Sequence, residues 1–171
     1  MGKSIILDPY DVYRMTTGMG KSMQELLAAS VELNVVDGVI LPNLKMQGAE
    51  EACAYLDGRG RCSIHPYRPG ICRLFPLGRY YENGGFSYFL QTGECAKENR
   101  SKIKVSKWID TPDLTRNQQF ILQWHDLLHA MEERLTGEDE GKQREENLLL
   151  LRLFYLLPYE GTIDFYTQFT E

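Results

Sequence analysis

The sequence predicts an α+β fold: a mainly helical single domain with short β-hairpins and a cysteine-rich loop segment. Three observations carry this expectation. The turn groups Asp37-Gly38 and Asn83-Gly84-Gly85 each lie between short apolar runs, the strongest local signal for a hairpin. From Thr111 onward, apolar residues recur at three-four spacing, the period of an amphipathic helix. All four cysteines fall between Cys53 and Cys95, among glycines, prolines and arginines that suit neither a long helix nor a long strand.

The elements follow in chain order. Asp8 suits the N-cap of a first helix, with Pro9 in its first turn, Asp11 complementing the dipole and Gly18 as its stop. Ser22 and Glu25 have the spacing of a capping box and open a second helix through Leu26, Leu27 and Val31. Val35-Val36 and Val39-Ile40-Leu41 form the first hairpin. Arg79 to Leu90 forms the second, with Phe86, Tyr88 and Leu90 alternating out of its return strand. Thr111 then caps a long helix that Pro112 opens and Gly137 ends. Leu114, Ile121, Trp124, Leu128, Met131 and Leu135 form its packing stripe. Glu138 to Gly141 reads as a solvated acidic loop, Gln143 to Leu157 as a last helix, and Thr162 to Phe169 as an edge strand. The last helix is apolar nearly all round, so it either fills the core or joins two copies of the chain or a protein partner.

Composition narrows the function classes. With 171 residues the whole chain is long enough for one domain with a sizeable core, residues 5–95 forming its cysteine part and 111–158 its helical part. A net charge of −5 argues against a nucleic-acid partner, which needs a basic face. No apolar run reaches membrane-spanning length, and Met1 to Tyr13 lacks the apolar core of a signal peptide. A cytoplasmic location is therefore expected, where clustered cysteines more often bind metal or catalyse than form disulfides.

The spacings are eight residues between Cys53 and Cys62, nine between Cys62 and Cys72, and twenty-two between Cys72 and Cys95. No Cys-x-x-Cys knuckle occurs, which tells against an ordinary zinc finger. A fold can still gather four distant thiolates, and such a set suits a cubane 4Fe–4S iron–sulfur cluster first and tetrahedral zinc second. Buried thiols acting as small apolar residues, and disulfides, are the alternatives. Between Gly58 and Tyr81 lie Arg59, Arg61, Arg68, Arg73, Arg79 and His65 with no acid. Four thiolates on zinc or on an oxidised four-iron cluster leave about two negative charges to balance nearby. Arg68 and Arg73, on either side of the Pro69-Gly70 turn, are the candidate residues for holding such a group.

The phrase Cys62-Ser63-Ile64-His65-Pro66-Tyr67-Arg68-Pro69-Gly70-Ile71-Cys72-Arg73-Leu74-Phe75-Pro76 resembles the signature of the YkgJ-type cysteine-cluster proteins, which are described as zinc- or iron-chelating domains. Ile6 to Arg14 is similar to that family's first helix, and Leu41-Pro42 with Cys53 to Asp57 to its lead-in. The resemblance spans about Ile5 to Cys95. It implies a bound metal or iron–sulfur cluster with Cys53, Cys62, Cys72 and Cys95 as ligands. Members of the family usually carry further cysteines upstream of the position of Ile5, and this chain has none there, so the expected site rests on the internal quartet.

Three further patterns have plainer readings. Gly20-Lys21-Ser22 mimics the end of a phosphate loop, but Met15 stands where its first glycine belongs. His125-Asp126-Leu127-Leu128-His129 mimics a zinc-protease helix with aspartate in place of glutamate, and its histidines flank the packing stripe. The ten tyrosines are spread along the chain and read as packing residues. A metal-binding protein is thus the leading expectation. A cluster-dependent modifying enzyme similar to flagellin lysine methylases, and a structural module with core thiols, are the alternatives.

Overall fold

In the computed structural model, which describes residues 4–94 and 102–170, helices and short antiparallel hairpins make the expected α+β fold. Helix α1 (Pro9–Met19) opens with a capping box in which Asp8 and Asp11 each accept the other's backbone N–H. It runs past Gly18 and ends at Gly20, whose left-handed backbone (φ 63°) suits a glycine. Gly18 serves packing instead: a Cβ there would sit 2.3 Å from the Tyr67 ring. Helix α2 (Met23–Ala29) has the Ser22–Glu25 capping box but stops before Val31, which starts a strand.

Strands β1 (Val31–Val36) and β2 (Val39–Leu44) pair in register Val36↔Val39. Asp37 and Gly38 both adopt positive φ, as the tight turn demands. Residues 5–7 lie along the other edge of β2, through Leu7 N–H to Pro42 O and Leu44 N–H to Ile5 O, both 2.9 Å. Strands β3 (Met46–Gln47) and β4 (Ala52–Cys53) form a minimal second hairpin, followed by a 3-10 turn at His65–Tyr67 and helix α3 (Gly70–Leu74). Strands β5 (Leu77–Glu82) and β6 (Gly85–Leu90) form the hairpin expected around Asn83-Gly84, and Gly85 already belongs to the return strand.

The C-terminal part departs from expectation in four places. A short helix, α4 (Val105–Ile109), precedes the long one. Helix α5 (Leu114–Leu135) is capped by Asp113, whose carboxylate accepts the Arg116 N–H, so Thr111 and Pro112 lie outside it. Helix α6 (Glu140–Leu151) starts inside the acidic stretch, because Asp139 accepts the N–H groups of Gly141 and Lys142, and it ends in a π-helical turn at Arg152–Leu156. Residues 165–170 form helix α7 (Phe165–Thr170), not an edge strand. Asp164 accepts the Thr167 N–H, and a helical turn brings Phe165 and Phe169 together against Phe120, which alternation along a strand would not do.

The core joins Leu7, Val12 and Met15 to Leu26, Val31, Leu41 and Leu44, with Phe120, Trp124, Tyr155 and Phe165 closing it. Asn147 on α6 is buried and locks onto the first hairpin: its Oδ1 accepts the Ile40 N–H at 2.7 Å and its Nδ2 donates to Gln143 O. Leu150, Leu151 and Tyr155 face this core, while Leu148, Leu149, Leu153 and Leu157 are about half exposed. The apolar helix therefore serves the core with one face and leaves the other open. Among the described residues no helix is long and apolar enough to cross a membrane.

Candidate metal centre

The cysteine segment is folded by backbone and carboxylate hydrogen bonds rather than by long elements. Cys53 ends β4, and the chain then turns back on itself at a bridge between Leu56 and Cys62. Asp57 makes that turn. Its Oδ1 accepts the N–H groups of Arg59 at 2.8 Å and Arg61 at 2.9 Å, and its own N–H donates to Arg61 O. Ser63 closes the ladder by donating from its backbone and its hydroxyl to Tyr55 O. This fold-back brings Cys62 beside Cys53. The 3-10 turn and Pro69 then start α3, which carries Cys72.

The three described thiols are free and half-buried. They lie close enough to feel one another electrostatically. Burial raises the Cys53 pKa, and the neighbouring Cys62 adds to the rise. Cys72 is pushed up to about 12, by burial first and then by Asp11, Cys53 and Cys62, with Arg68 acting in the opposite sense. Cys95 lies outside the described residues. Among the described residues no group of three or more His, Cys, Asp or Glu side chains is arranged to hold a metal ion.

The two candidate arginines occupy different places. Arg73 is buried, with 5 % of its surface exposed, and its guanidinium sews the segment together. Its Nε donates to Arg68 O at 3.2 Å, its Nη2 to Pro66 O at 2.7 Å and its Nη1 to Asp110 O at 2.7 Å. Arg14 of α1 donates to the same Pro66 carbonyl. Arg68 is the arginine whose charge acts on Cys72, and its buried Nε has no hydrogen-bond partner among the described residues. An unmet buried donor is costly, and an anionic group beside Cys72 would satisfy it.

Sequence reasoning did not find what ties this segment to the rest of the molecule. Asp11 serves the α1 cap and also accepts the Gly70 N–H at 2.7 Å, which fixes the start of α3. Burial pushes the Asp8 carboxyl up to about 6, and burial with the Asp8 charge beside it raises Asp11 well above the usual carboxylate range. Trp108 of α4 donates its indole N–H to Leu74 O and Phe75 O at the end of α3. Such contacts join residues more than thirty positions apart, and local spacing carries no trace of them.

The donor chemistry of the segment fits a soft metal or an iron–sulfur cluster: half-buried free thiols, no acid between Gly58 and Tyr81, and an unpartnered guanidinium N–H on Arg68. The model of the family CxxCxxCC, putative zinc- or iron-chelating domain, matches residues 4–109. The chain belongs to this family. Neither the curated proteins nor the solved structures contain a match. Taken literally, the name CxxCxxCC describes a run absent from these 171 residues, whose four cysteines are separated by eight residues or more. Membership supports metal binding.

Proposed function

We propose that this protein binds an iron–sulfur cluster, with 4Fe–4S favoured over zinc, through Cys53, Cys62, Cys72 and Cys95. The observation that carries the reading is that three free, half-buried thiols share one folded-back segment, Cys62 returning towards Cys53 through the Leu56–Cys62 bridge and Cys72 following on α3, with a buried Arg68 donor left without a partner among the described residues. Four cysteines without a Cys-x-x-Cys knuckle suit a cubane first and tetrahedral zinc second. In this reading Arg68 balances the negative charge and Arg73 holds the loop. When bound, the cluster supplies one-electron redox chemistry or a rigid cross-link. The thiols must give up their protons to bind, so affinity rises with pH. The protein works as one domain in a reducing cytoplasm, where the thiols stay available.

Anaerobic purification with iron, acid-labile sulfide and zinc analysis is the test. Iron with matching sulfide is expected, and loss of both in Cys72→Ser. Well-folded protein with neither iron nor zinc rejects the proposal. A cluster-dependent modifying enzyme is the second reading. A cleft of about 460 Å³ between α1, α2 and residues 155–161, of a size suited to a small co-substrate, favours it. Adenosylmethionine binding, measured calorimetrically, separates the two. We also propose that the exposed leucines of α6 and the turn after it, Leu148, Leu149, Leu153 and Leu157, join two copies or a protein partner. Light scattering at micromolar concentration checks the first of these.

A further inference from the structure

Helix α5 carries two of the protein's three histidines, His125 and His129, one turn apart on its surface. Their rings meet edge to face with centroids 4.9 Å apart. An imidazole centroid lies about 1.1 Å beyond a ligating nitrogen, which itself binds a divalent ion at about 2.1 Å. Two imidazoles sharing one ion then place their centroids about 4.5 Å apart at a right-angled bite and about 5.2 Å apart at a tetrahedral one. The observed separation falls between these.

Three neighbours favour the same use. The Tyr81 ring of β5 stacks on His125 at 3.8 Å with 10° between the planes, which fixes the orientation of that imidazole. The Nδ1 of His125 faces Asp126 Oδ1 at 3.5 Å, and the Nδ1 of His129 faces Glu132 Oε2 at 3.7 Å. At these distances the carboxylates are neighbours and not hydrogen-bond partners, and they make the surroundings favourable to a cation.

We propose that His125 and His129 form a surface chelate for a divalent late first-row ion such as Ni2+, Cu2+ or Zn2+. Among the described residues no third His, Cys, Asp or Glu completes a ligand group, so water fills the remaining positions. The site is independent of the cysteines. It offers imidazole, which suits these divalent ions, where the loop offers thiols.

Nickel is the probe, applied to the untagged full-length protein by immobilised-Ni2+ chromatography and by calorimetric titration. Retention that imidazole reverses is expected, together with one saturable Ni2+ event. His125→Gln and His129→Gln should each abolish retention and weaken binding at least about tenfold, since losing even an outer-shell partner of a ligand costs about that much. His65→Gln should change neither. Cys72→Ser should leave the Ni2+ event intact while removing iron or zinc, so this proposal and the thiol site fail separately. His129 is the more exposed of the pair, so its variant keeps the test decisive if loss of the Tyr81 stack unfolds His125→Gln. Absence of saturable binding, binding unchanged in both histidine variants, or binding lost only in His65→Gln or Cys72→Ser overturns the proposal.

Discussion

The aromatic core and the cysteine segment are held together by different forces. Around Tyr10, Phe120, Phe165 and Phe169, rings from α1, α5 and α7 meet tilted or edge to face within 4.8–6.3 Å, and stability comes from removing apolar surface from water. In residues 46–76 few large apolar side chains are buried, Ile64 and Leu74 being the main ones. That region relies on polar bonds to its backbone: Asp57 inside its turn, Asp11 at Gly70, and Arg73 across three carbonyls. A core of the first kind tolerates changes of shape and loses energy smoothly. A loop held by a few charged donors and acceptors loses its form when one is removed. Its conformation is thus set mainly by polar bonds, several of them to α1, and less by apolar burial.

The largest expected effect tests the core side of this contrast. Phe120→Ala should cost about 3–5 kcal/mol, the range for emptying an aromatic site, seen as a lowered denaturation midpoint. Metal content per folded molecule should stay the same. A core variant that released metal in proportion to its destabilisation would show that the two regions are not separable. Arg73→Ala should come next, at about 2–4 kcal/mol, because three charged-donor bonds vanish and their carbonyls lose partners. Here the signature is local: faster amide exchange in residues 66–74 and lower metal occupancy. Arg73→Lys should not rescue it, since one ammonium cannot reproduce the planar fork. Full rescue by lysine would mean that charge alone matters.

These two variants also mark what the sequence made legible. Caps and turns were readable because they are local. The Asp8 cap, the Ser22–Glu25 box and both turn pairs stand where spacing put them. Helix α7 was misread because Phe165 and Phe169 satisfy a strand's alternation as well as a helix's i, i+4, and only the position of Phe120 decides between them. The cap at Asp113 was missed because Thr111-Pro112 offered an equally good local signal two residues earlier. Clustering of the cysteines pointed to residues 53–95, which lie within the 4–109 span of the family match. The division between Arg68 and Arg73 was not readable, because it depends on where the carbonyls of Pro66 and Asp110 lie.

Smaller effects sharpen the boundary between the regions. Gly18 is where α1 meets the Tyr67 ring, and a methyl group there has no room. Gly18→Ala should cost about 1–3 kcal/mol by overpacking, and exchange should quicken around residues 65–68. An unchanged exchange pattern would mean that Tyr67 swings aside freely. The smallest effect is electrostatic. Burial raises the Asp8 carboxyl to about 6, above its ordinary 3.8, so the folded state holds a proton that the unfolded state gives up. Its contribution is present below about pH 4 and is lost as pH rises through 6. In chelator-treated protein the stability difference between wild type and Asp8→Asn should therefore change between pH 5 and 7, with wild type losing ground as pH rises. Asparagine keeps the cap. Parallel pH profiles for the two proteins would show that Asp8 ionises freely.

Of the two tryptophans, one lies in the core and the other rests against the cysteine segment. Trp124 is 7 % exposed and packs edge-on against Phe154 and Tyr155 in the core, while Trp108 is 40 % exposed and grips the end of the helix that bears Cys72. The protein thus contains its own pair of optical reporters. Trp124 emission should be blue-shifted and should change only on global unfolding. Trp108 emission should be redder, and a group bound nearby that absorbs in the near ultraviolet or visible should quench it. In Trp108→Phe the remaining signal follows the core, and in Trp124→Phe it follows the thiol loop. Ordinary fluorescence can then time when each region forms and whether ligand arrives before or after the loop closes.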